Sequence, residues 1–473
     1  MRLALGHVLV RYKYNGPRPP TRTESSPSNS NNFSKQSLLT NHFFVPLSPG
    51  IDGVIMLLLN LAFLGLAAAI PVATNTSNAS NTSHSAPIPV EYYGAGLPSG
   101  IKSFSAAGFQ DTSYGPSRGG QAKSVSGIIE VQASTTHNAK LSQDMIPQNQ
   151  TALTALFLSM FTPPTKIPSP EFTTVQGTFK IGASLCVPAD ATSPPTTVEF
   201  LTHGTGFDRF YWDFASGYSY VGAAVAAGHS VLIYDRLGNG ASDHPDPLIV
   251  QAPIQVEIAH SLISFLRNGS LSSTTFTKVI AVGHSFGSGL VQALNVHYPT
   301  LVDASVLTGF SANSTAASTL GFDLGGNPTT ASIADPQRFG DLPLGYMVPA
   351  SPQGNQIQFF SFPGFDPSIL TQVNAQKGTQ AIGELFSPMI GGPVPGNYTA
   401  PLAVISGQQD FAFCQGNCSY PVDQAAAVKN VLYEGLDQSK FASHLVENAG
   451  HGWNLHYSAQ SGFEWIQEFL RNQ

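Results

Sequence analysis

The sequence predicts an α/β fold in which helices cover both faces of a mostly parallel sheet. Short apolar runs at residues 198–202, 230–234 and 278–282 alternate with stretches of helical periodicity, an order typical of parallel sheets. The third run leads directly into Gly283-His-Ser-Phe-Gly287, a G-x-S-x-G sequence. Helical spacing then continues until Pro299. A strand, a sharp turn and a helix in this order form the centre of the predicted fold.

This turn gives one serine an unusual position. At the apex of such a strand-turn-helix, a strained backbone holds the side-chain hydroxyl clear of the neighbouring chain. Gly283 and Gly287 lack the Cβ atoms that would collide where the strand and the helix approach closely. Ser285 is therefore the candidate nucleophile. The alternative is a chance occurrence of the pentapeptide in a Gly- and Ser-rich chain.

Length and composition narrow the class of protein. The chain has 473 residues, of which 42% are hydrophobic and 10% are charged, with 45 Gly and 35 Pro. It can bury a large core, and its length permits two or three domains. So low a charge fraction is typical of loop-rich proteins with a polar, uncharged surface, as many glycosylated secreted proteins have. No Lys/Arg-rich run occurs outside the extreme N terminus, so no nucleic-acid partner is expected.

A segment like a signal peptide lies within residues 1–69. The apolar run at 53–69 is shorter than the roughly 20 residues of a membrane-spanning helix and ends in three alanines, which is typical of a cleaved signal. We therefore predict a secreted protein that begins at Ile70 and has no stable membrane span. The alternative is a signal anchor, with the basic residues before the run on the cytoplasmic side. Because signal peptides do not normally start so far into a chain, Met56 is an alternative start to Met1.

The next segment, residues 70–125, is predicted to be a flexible, glycosylated stalk. It is rich in Ser, Thr, Asn, Gly and Pro and shows little periodicity. Three N-x-[ST] sequons are packed into residues 75–83, just after the predicted cleavage site. The glycosylation candidates of the whole chain are Asn75, Asn78, Asn81, Asn149, Asn268, Asn313, Asn397 and Asn417.

Residues 126–310 are predicted to form the N-terminal part of the core. Its first strand and helix are expected at 127–133 and 151–161, and no chemistry is assigned to them. Residues 172–187 alternate in the manner of a hairpin.

The strand at 198–202 runs straight into His203-Gly-Thr-Gly206. A strand followed by H-G-x-G, upstream of a serine at a sharp turn, is where acyl-transfer enzymes place a loop N–H that helps to bind an oxyanion. An ordinary glycine turn is the alternative. The backbone N–H groups of Thr205 and Phe286 are the candidate oxyanion donors.

Residues 235–242 follow the next strand and contain Gly238 and Gly240. This spacing resembles a dinucleotide-binding turn, but the third glycine is missing and Pro245 and Pro247 interrupt the helix that such a turn must open. We interpret the segment as a structural loop beside the site.

After a strand at 302–308 the regular pattern stops, and residues 311–399 are predicted to be a cap inserted into the core. The segment is rich in Gly and Pro and contains many apolar residues. Long irregular insertions are usually functional, so we expect its phenylalanines to roof a pocket for an apolar acyl or aromatic group. The alternative is a packed structural excursion without specificity. Among these phenylalanines are Phe339, Phe359, Phe360, Phe362 and Phe365.

The C-terminal part of the core, residues 400–473, supplies the candidate partners of Ser285. A serine hydroxyl needs a base within hydrogen-bond reach and a third group that orients the base. Asp410 follows a strand at 402–405, and His451 follows the last strand, so the order Ser, acid, His fits a nucleophile on a parallel sheet. We predict Ser285 as nucleophile, His451 as base and Asp410 as the orienting acid.

Other residues could in principle take these roles. Asp323 and Glu447 are the rival acids, one inside the predicted cap and one at the last strand. The rival bases are His203, in the H-G-x-G loop, and His456, in the closing helix. We interpret His284 as a packed neighbour of Ser285.

These motifs resemble the α/β-hydrolase superfamily over residues 172–473, with the cap inserted. The resemblance rests on residues 203–206, 235–242 and 283–287, on Asp410 and on the Gly450-His451 pair. Residues 206–213 and 410–418 look more narrowly like secreted fungal serine esterase- and lipase-like members.

The resemblance implies an α/β-hydrolase fold and a serine hydrolase that needs no cofactor. It implies cleavage of a carboxylic ester, with a small-molecule or lipid-like substrate, through an acyl-enzyme. Serine peptidase, thioesterase or acyltransferase activity and a non-catalytic, ligand-binding protein remain as alternatives.

The three cysteines allow at most one bridge within the chain. Cys414 and Cys418 are close enough in sequence to pair, and an oxidising compartment would keep the disulfide closed near Asp410. Zinc binding by these two cysteines and a histidine is formally possible, but a secreted protein would oxidise them, so no metal is predicted. A bridge from Cys186 to either residue is the competing pairing.

Overall fold

A computed structural model describes residues 104–160, 171–191, 193–272, 274–312, 323–387 and 392–473. The predicted signal segment, Asn75, Asn78, Asn81 and Asn313 lie outside the described residues. Among the helices within these ranges, none combines the length and the hydropathy of a bilayer-spanning segment.

The central sheet confirms the predicted α/β class. Its described strands number nine, in the order β1-β2-β3-β5-β4-β6-β7-β11-β12. Neighbouring strands from β5 to β12 pair in parallel, whereas β1, β2, β3 and β5 form antiparallel neighbours. The strands of this sheet are β1 (Gln110–Pro116), β2 (Ala122–Ala139), β3 (Phe172–Pro188), β4 (Thr197–Thr202), β5 (Ser230–Tyr234), β6 (Lys278–His284), β7 (Ala304–Thr308), β11 (Leu402–Gly407) and β12 (Phe441–Val446).

Helices cover both faces of the parallel part of the sheet. These helices are α2 (Tyr220–Ala226), α3 (Ala252–Asn268), α4 (Phe286–His297), α10 (Phe411–Cys414), α11 (Gln424–Leu432) and α12 (Ala459–Arg471). Helix α1 (Gln150–Met160) instead packs with Met347 and Ile382 in a separate apolar cluster. Along β6, Val279 and Ala281 pack with α3 and α4, while Ile280 and Val282 pack with α2 and α12. This alternation is what a strand buried on both faces requires.

The sheet begins earlier in the chain than the predicted boundary at residue 126. Strand β1 and the first residues of β2 are already paired within it, so residues 110–125 belong to the sheet and not to a stalk. The hairpin expected at 172–187 is also wrong, because β3 is one continuous strand that pairs with β2. Gly182 lies inside this strand, where a Cβ would stand 2.7 Å from that of Ala241, so it admits a packed loop and does not mark a turn.

Residues 323–387, which we call the cap segment, lie between β7 and β11 and are more regular than expected. They form a small antiparallel sheet in the order β10-β9-β8 together with short helices. Its elements are β8 (Pro328–Thr330), α5 (Ala331–Ala334), α6 (Pro336–Phe339), β9 (Tyr346–Pro349), α7 (Pro352–Phe359), α8 (Pro367–Gln376), β10 (Gln380–Ala381) and α9 (Ile382–Leu385).

The phenylalanines of the cap segment do not share one pocket. Phe339 packs into the core on the α3 side, and Phe360 and Phe365 pack into the core on the α12 side. Phe362 is 80% exposed. Only Phe359 lines the cleft beside the H-G-x-G loop that is described below, so the expectation that all of them roof an apolar pocket is wrong.

Candidate active site

Ser285 stands at the turn between β6 and α4. Its backbone has φ 55° and ψ −118°, a left-handed conformation that a serine adopts only when the surrounding structure imposes it. Its N–H donates to the Thr308 carbonyl at 2.9 Å, which ties the turn to β7. The side chain therefore stands at the carboxyl end of the sheet.

The two glycines of the pentapeptide make this turn possible. A Cβ at Gly283 would lie 2.4 Å from the Gly287 carbonyl oxygen, and a Cβ at Gly287 would lie 2.2 Å from the Thr202 carbonyl oxygen. Both distances are far below van der Waals contact. Only glycine therefore lets α4 start so close to β4 and β6.

His451 links Ser285 to Asp410. Its Nε2 lies 2.7 Å from Ser285 Oγ, and its Nδ1 lies 2.7 Å from Asp410 Oδ2. Asp410 and His451 have no exposed surface, whereas Ser285 is 9% exposed, so the serine is the member that a substrate can reach. Three residues from distant parts of the chain thus form one hydrogen-bonded line.

Local structure fixes the Asp410 carboxylate. Its Oδ1 accepts a hydrogen bond from the Phe413 N–H at 3.0 Å as the N-cap of α10, which leaves Oδ2 directed at His451. Cys414 and Cys418 form a disulfide, as predicted, while Cys186 is free and buried. The Gly416 N–H donates to the Asp410 carbonyl, so the disulfide loop folds back onto the acid.

The H-G-x-G loop lies beside Ser285 and borders the site. Gly204 packs so closely on the turn that a Cβ there would lie 2.9 Å from Ser285 Cβ. Thr205 follows it, and Phe286 is the first residue of α4, where a backbone N–H has no acceptor within its own helix. The two candidate oxyanion donors are therefore on the segments that meet at Ser285.

Comparison with known proteins identifies the family. The model of the alpha/beta hydrolase family matches residues 200–460, which is more than half of the chain. The chain belongs to the alpha/beta hydrolase family. Among curated proteins, none matches the sequence.

Several solved structures are similar to this hydrolase. An alpha/beta hydrolase fold protein from Chitinophaga pinensis has 17% identity and a TM-score of 0.42, and the match covers 62% of this chain and 94% of that one. A thermophilic esterase from Thermogutta terrifontis has 13% identity and a TM-score of 0.42, and the match covers 63% of this chain and 94% of that one. A bromoperoxidase from Bacillus anthracis has 17% identity and a TM-score of 0.41, and the match covers 62% of this chain and 96% of that one.

The rival bases of this hydrolase are engaged elsewhere. His456 Nε2 accepts from the Gly450 N–H at 3.1 Å and the Ser361 N–H at 3.0 Å, so its proton is on Nδ1, which donates to the Gly452 carbonyl. Burial lowers the pKa of His456 to about 4. This neutral ring therefore joins the His451 loop to the cap segment and has no nitrogen left to act as a base.

His203 and His284 are also held neutral. Burial lowers the pKa of His203 well below its usual value, and the Arg236 charge lowers it further. Burial and the neighbouring His451 do the same to the pKa of His284, which stacks on Tyr211 with ring centroids 4.3 Å apart. Both rings serve packing and positioning around the line of Ser285, His451 and Asp410.

Sequence reasoning missed Arg236, which lies in the loop interpreted only as structural. Its backbone N–H donates to His203 Nε2 at 2.9 Å and its Nε to the His203 carbonyl at 3.0 Å. Its guanidinium pairs with Glu384 of the cap segment and lies 4.7 Å from the centre of the Phe286 ring. One buried cation thus touches both segments that carry the candidate oxyanion donors. The available signal was an arginine two residues after the buried strand β5.

The rival acids lie outside the line of Ser285, His451 and Asp410. Glu447 is exposed beyond the end of β12. Asp323 is buried, and it lines a cleft between the cap segment and Thr205 of the H-G-x-G loop. The disulfide makes Cys414 and Cys418 unavailable to zinc, and no other group of metal-ligating residues occurs in the part of the chain that the structure describes.

Proposed function

We propose that this hydrolase is a serine esterase that cleaves a carboxylic ester through an acyl-enzyme. The observation that carries the proposal is the unbroken line from Ser285 Oγ through His451 to Asp410, with both hydrogen bonds at 2.7 Å. Such a line supplies the base and the orienting group that a serine hydroxyl needs at neutral pH.

The proposed reaction has two halves. In the first, Ser285 Oγ attacks the ester carbonyl while His451 Nε2 takes its proton, and the proton then goes to the leaving alcohol. In the second, His451 takes a proton from water, which attacks the acyl-serine, and returns that proton to Ser285 Oγ as the acid leaves. Asp410 keeps the His451 proton on Nδ1 and stabilises the imidazolium in both halves.

Charge on the tetrahedral oxygen needs donors that are already in place. We assign this role to the N–H groups of Thr205 and Phe286, because Gly204 and Ser285 hold their segments in contact. Loss of one such donor costs about a hundredfold or more in rate.

We further propose that the protein is secreted and glycosylated, like the secreted fungal members that residues 206–213 and 410–418 resemble. The four described sequon asparagines are all exposed, as glycan attachment requires. They are Asn149, Asn268, Asn397 and Asn417. The Cys414–Cys418 disulfide also favours an oxidising compartment. Edman sequencing of the secreted protein tests cleavage: a chain starting near Ile70 supports it, and residues from before Met56 would contradict it.

A turnover panel tests the proposed reaction. Esters, amides and thioesters of graded acyl length are offered to wild-type protein and to Ser285→Ala. We expect turnover of esters that the variant loses. Faster cleavage of amides or thioesters, or acyl transfer to an added alcohol, would favour peptidase, thioesterase or acyltransferase activity instead. Binding without any turnover would favour a non-catalytic protein.

A further inference from the structure

The loop that carries His451 is bound on both sides of that residue by a second histidine. It connects β12 to a short 3₁₀ turn at Trp453–Leu455 and is itself neither helix nor strand. His456 comes directly after that turn and has no exposed surface. Its Nε2 accepts from the Gly450 N–H at 3.1 Å, and its Nδ1 donates to the Gly452 carbonyl at 3.1 Å. One ring therefore bonds to both residues that flank His451 in the chain.

The cap segment is attached to the same ring and to the same loop. Nε2 of His456 also accepts from the Ser361 N–H at 3.0 Å, and the Gly452 N–H donates to the Phe359 carbonyl at 2.8 Å. The two segments approach so closely that a Cβ at Gly450 would lie 2.9 Å from the Phe359 carbonyl oxygen. The position of this loop therefore depends on the cap segment as well as on His456.

His456 is itself held firmly. Its N–H donates to the Trp453 carbonyl at 3.1 Å, and its carbonyl accepts from the Ala459 N–H at 3.0 Å, where α12 begins. Phe360 and Phe365 pack on the ring, with centroids 5.4 and 6.1 Å from its own. A side chain locked by packing and by its own hydrogen bonds can fix the position of the groups that it binds.

The hydrogen bonds of His456 matter because of where they are made. A buried histidine that serves packing alone also needs partners for its ring nitrogens, but it has no need to choose the two neighbours of the base. His451 Nε2 lies 2.7 Å from Ser285 Oγ, and the position of the loop sets that distance. A displacement of about 1 Å in such a geometry can cost about a hundredfold in rate.

We propose that His456 is a positioning residue of the reaction. By binding the residues on either side of His451, it directs His451 Nε2 at Ser285 Oγ, and through Ser361 it makes this alignment depend on the cap segment. His456 acts through His451 and not by contact with the substrate. The inference rests on the proposed esterase function, because it assigns a further residue to that same site.

Variants of His456 separate its hydrogen bonds from its bulk. His456→Phe keeps an aromatic ring and removes both ring nitrogens, so we expect kcat for an ester to fall by about a hundredfold with KM nearly unchanged. His456→Gln places an amide oxygen near the position of Nε2 and should recover much of the rate. His444→Phe is the matched control, because that ring stacks on Trp465 of α12 and should leave kcat unchanged.

A double-variant cycle with His451→Ala distinguishes positioning from a general loss of structure. Adding His456→Phe to His451→Ala should change the residual rate little, because a base that is absent cannot be displaced. A crystal structure of His456→Phe measures the displacement directly. We expect the distance between His451 Nε2 and Ser285 Oγ to lengthen from 2.7 Å.

Full kcat in His456→Phe, the same fold loss in the His451→Ala background, or an unchanged distance in the crystal structure would overturn the assignment and leave the esterase proposal intact. Should His456→Phe fail to fold, His456→Gln and His456→Asn still decide, because each retains one end of the hydrogen bonding of the ring. We then expect kcat below that of wild type in at least one of them, and wild-type kcat in both would overturn the assignment. Absence of all ester turnover in the wild-type protein would overturn the esterase proposal instead, and the distance in the variant crystal structures would still test His456.

Discussion

At the scale of single residues, hydrogen bonding distinguishes four buried histidines that look alike in the sequence. His203, His284 and His456 are neutral and held by packing or backbone groups, and His451 alone joins a serine to a carboxylate. For His203 and His456 these partners determine which ring nitrogen carries the proton. The orientation of the Asp410 carboxylate is fixed in the same way, because one of its oxygens caps α10 and the other faces His451.

Asp410→Asn should separate these two tasks. The amide oxygen can still accept from the Phe413 N–H, but an amide N–H2 facing His451 favours the wrong tautomer. We expect kcat to fall by about 10⁴-fold with little change in melting temperature. Asp423→Asn is the matched control, because Asp423 caps α11 in the same way with an exposed side chain that has no hydrogen bond to His451, and it should leave kcat unchanged. Equal losses in both variants, or full activity in Asp410→Asn, would argue against the orienting role.

At the scale of elements, short loops after parallel strands converge at one edge of the sheet, and other segments hold them there. The loop after β11 is closed by the disulfide, and the Cys418 N–H donates to the Gln408 carbonyl just before Asp410. The H-G-x-G loop is held by Arg236, which is itself paired with Glu384. The cap segment is thus connected to the site by a buried ion pair.

The double variant Cys414→Ser/Cys418→Ser should lose more activity than stability. So short a loop gains little unfolded-state entropy from its bridge, whereas freeing it loosens the segment that holds Asp410. Turnover and melting temperature are measured beside Cys186→Ala, which leaves the bridge intact. Unchanged turnover, or free thiols at both positions in the secreted protein, would refute the prediction.

Glu384→Gln should destabilise the fold and slow the reaction together, because it leaves the buried Arg236 cation without its partner. The expected loss is about 3 kcal/mol in the free energy of unfolding. Replacing both residues by methionine should restore much of the stability but not the rate, since the His203 carbonyl then loses its donor. Denaturant titration measures the loss of stability, and kcat/KM measures the loss of rate. A double variant with full activity would show that Arg236 does not position the H-G-x-G loop.

At the scale of the whole molecule, most residues of the site could be predicted from local sequence motifs. The contacts that hold them in place are between residues far apart in the chain and could not be predicted in this way. Ser285, Asp410 and His451 could be predicted because each follows a strand, and parallel strands end at the same edge. The pairing of Arg236 with Glu384, 148 residues later, has no local signal. Nor does the bond between His456 and Ser361, which depends on how the cap segment packs. The alternation of residues 172–187 was real, but pairing with β2 made it one long strand.

Stability of the whole fold should fall in mild acid. His203, His284 and His456 have pKa values lowered by burial, so between about pH 6.5 and their folded values the unfolded chain binds more protons. Each histidine contributes its full share to the free energy of unfolding above pH 6.5. Below pH 6.5 that contribution falls by about 1.4 kcal/mol per pH unit. Asp323, with a raised pKa, opposes this trend with a single proton. Denaturant unfolding at a series of pH values measures the slope, and a constant or rising stability towards pH 5 would contradict it.

The most direct test of the account is covalent labelling of the proposed nucleophile. A fluorophosphonate probe reacts with an activated serine and should attach to wild-type protein at Ser285, as located by peptide mass mapping. We expect no labelling of Ser285→Ala and greatly slowed labelling of His451→Ala, because the hydroxyl then lacks its base. Wild-type protein that stays unlabelled, or a label that persists in Ser285→Ala, would contradict the central claim.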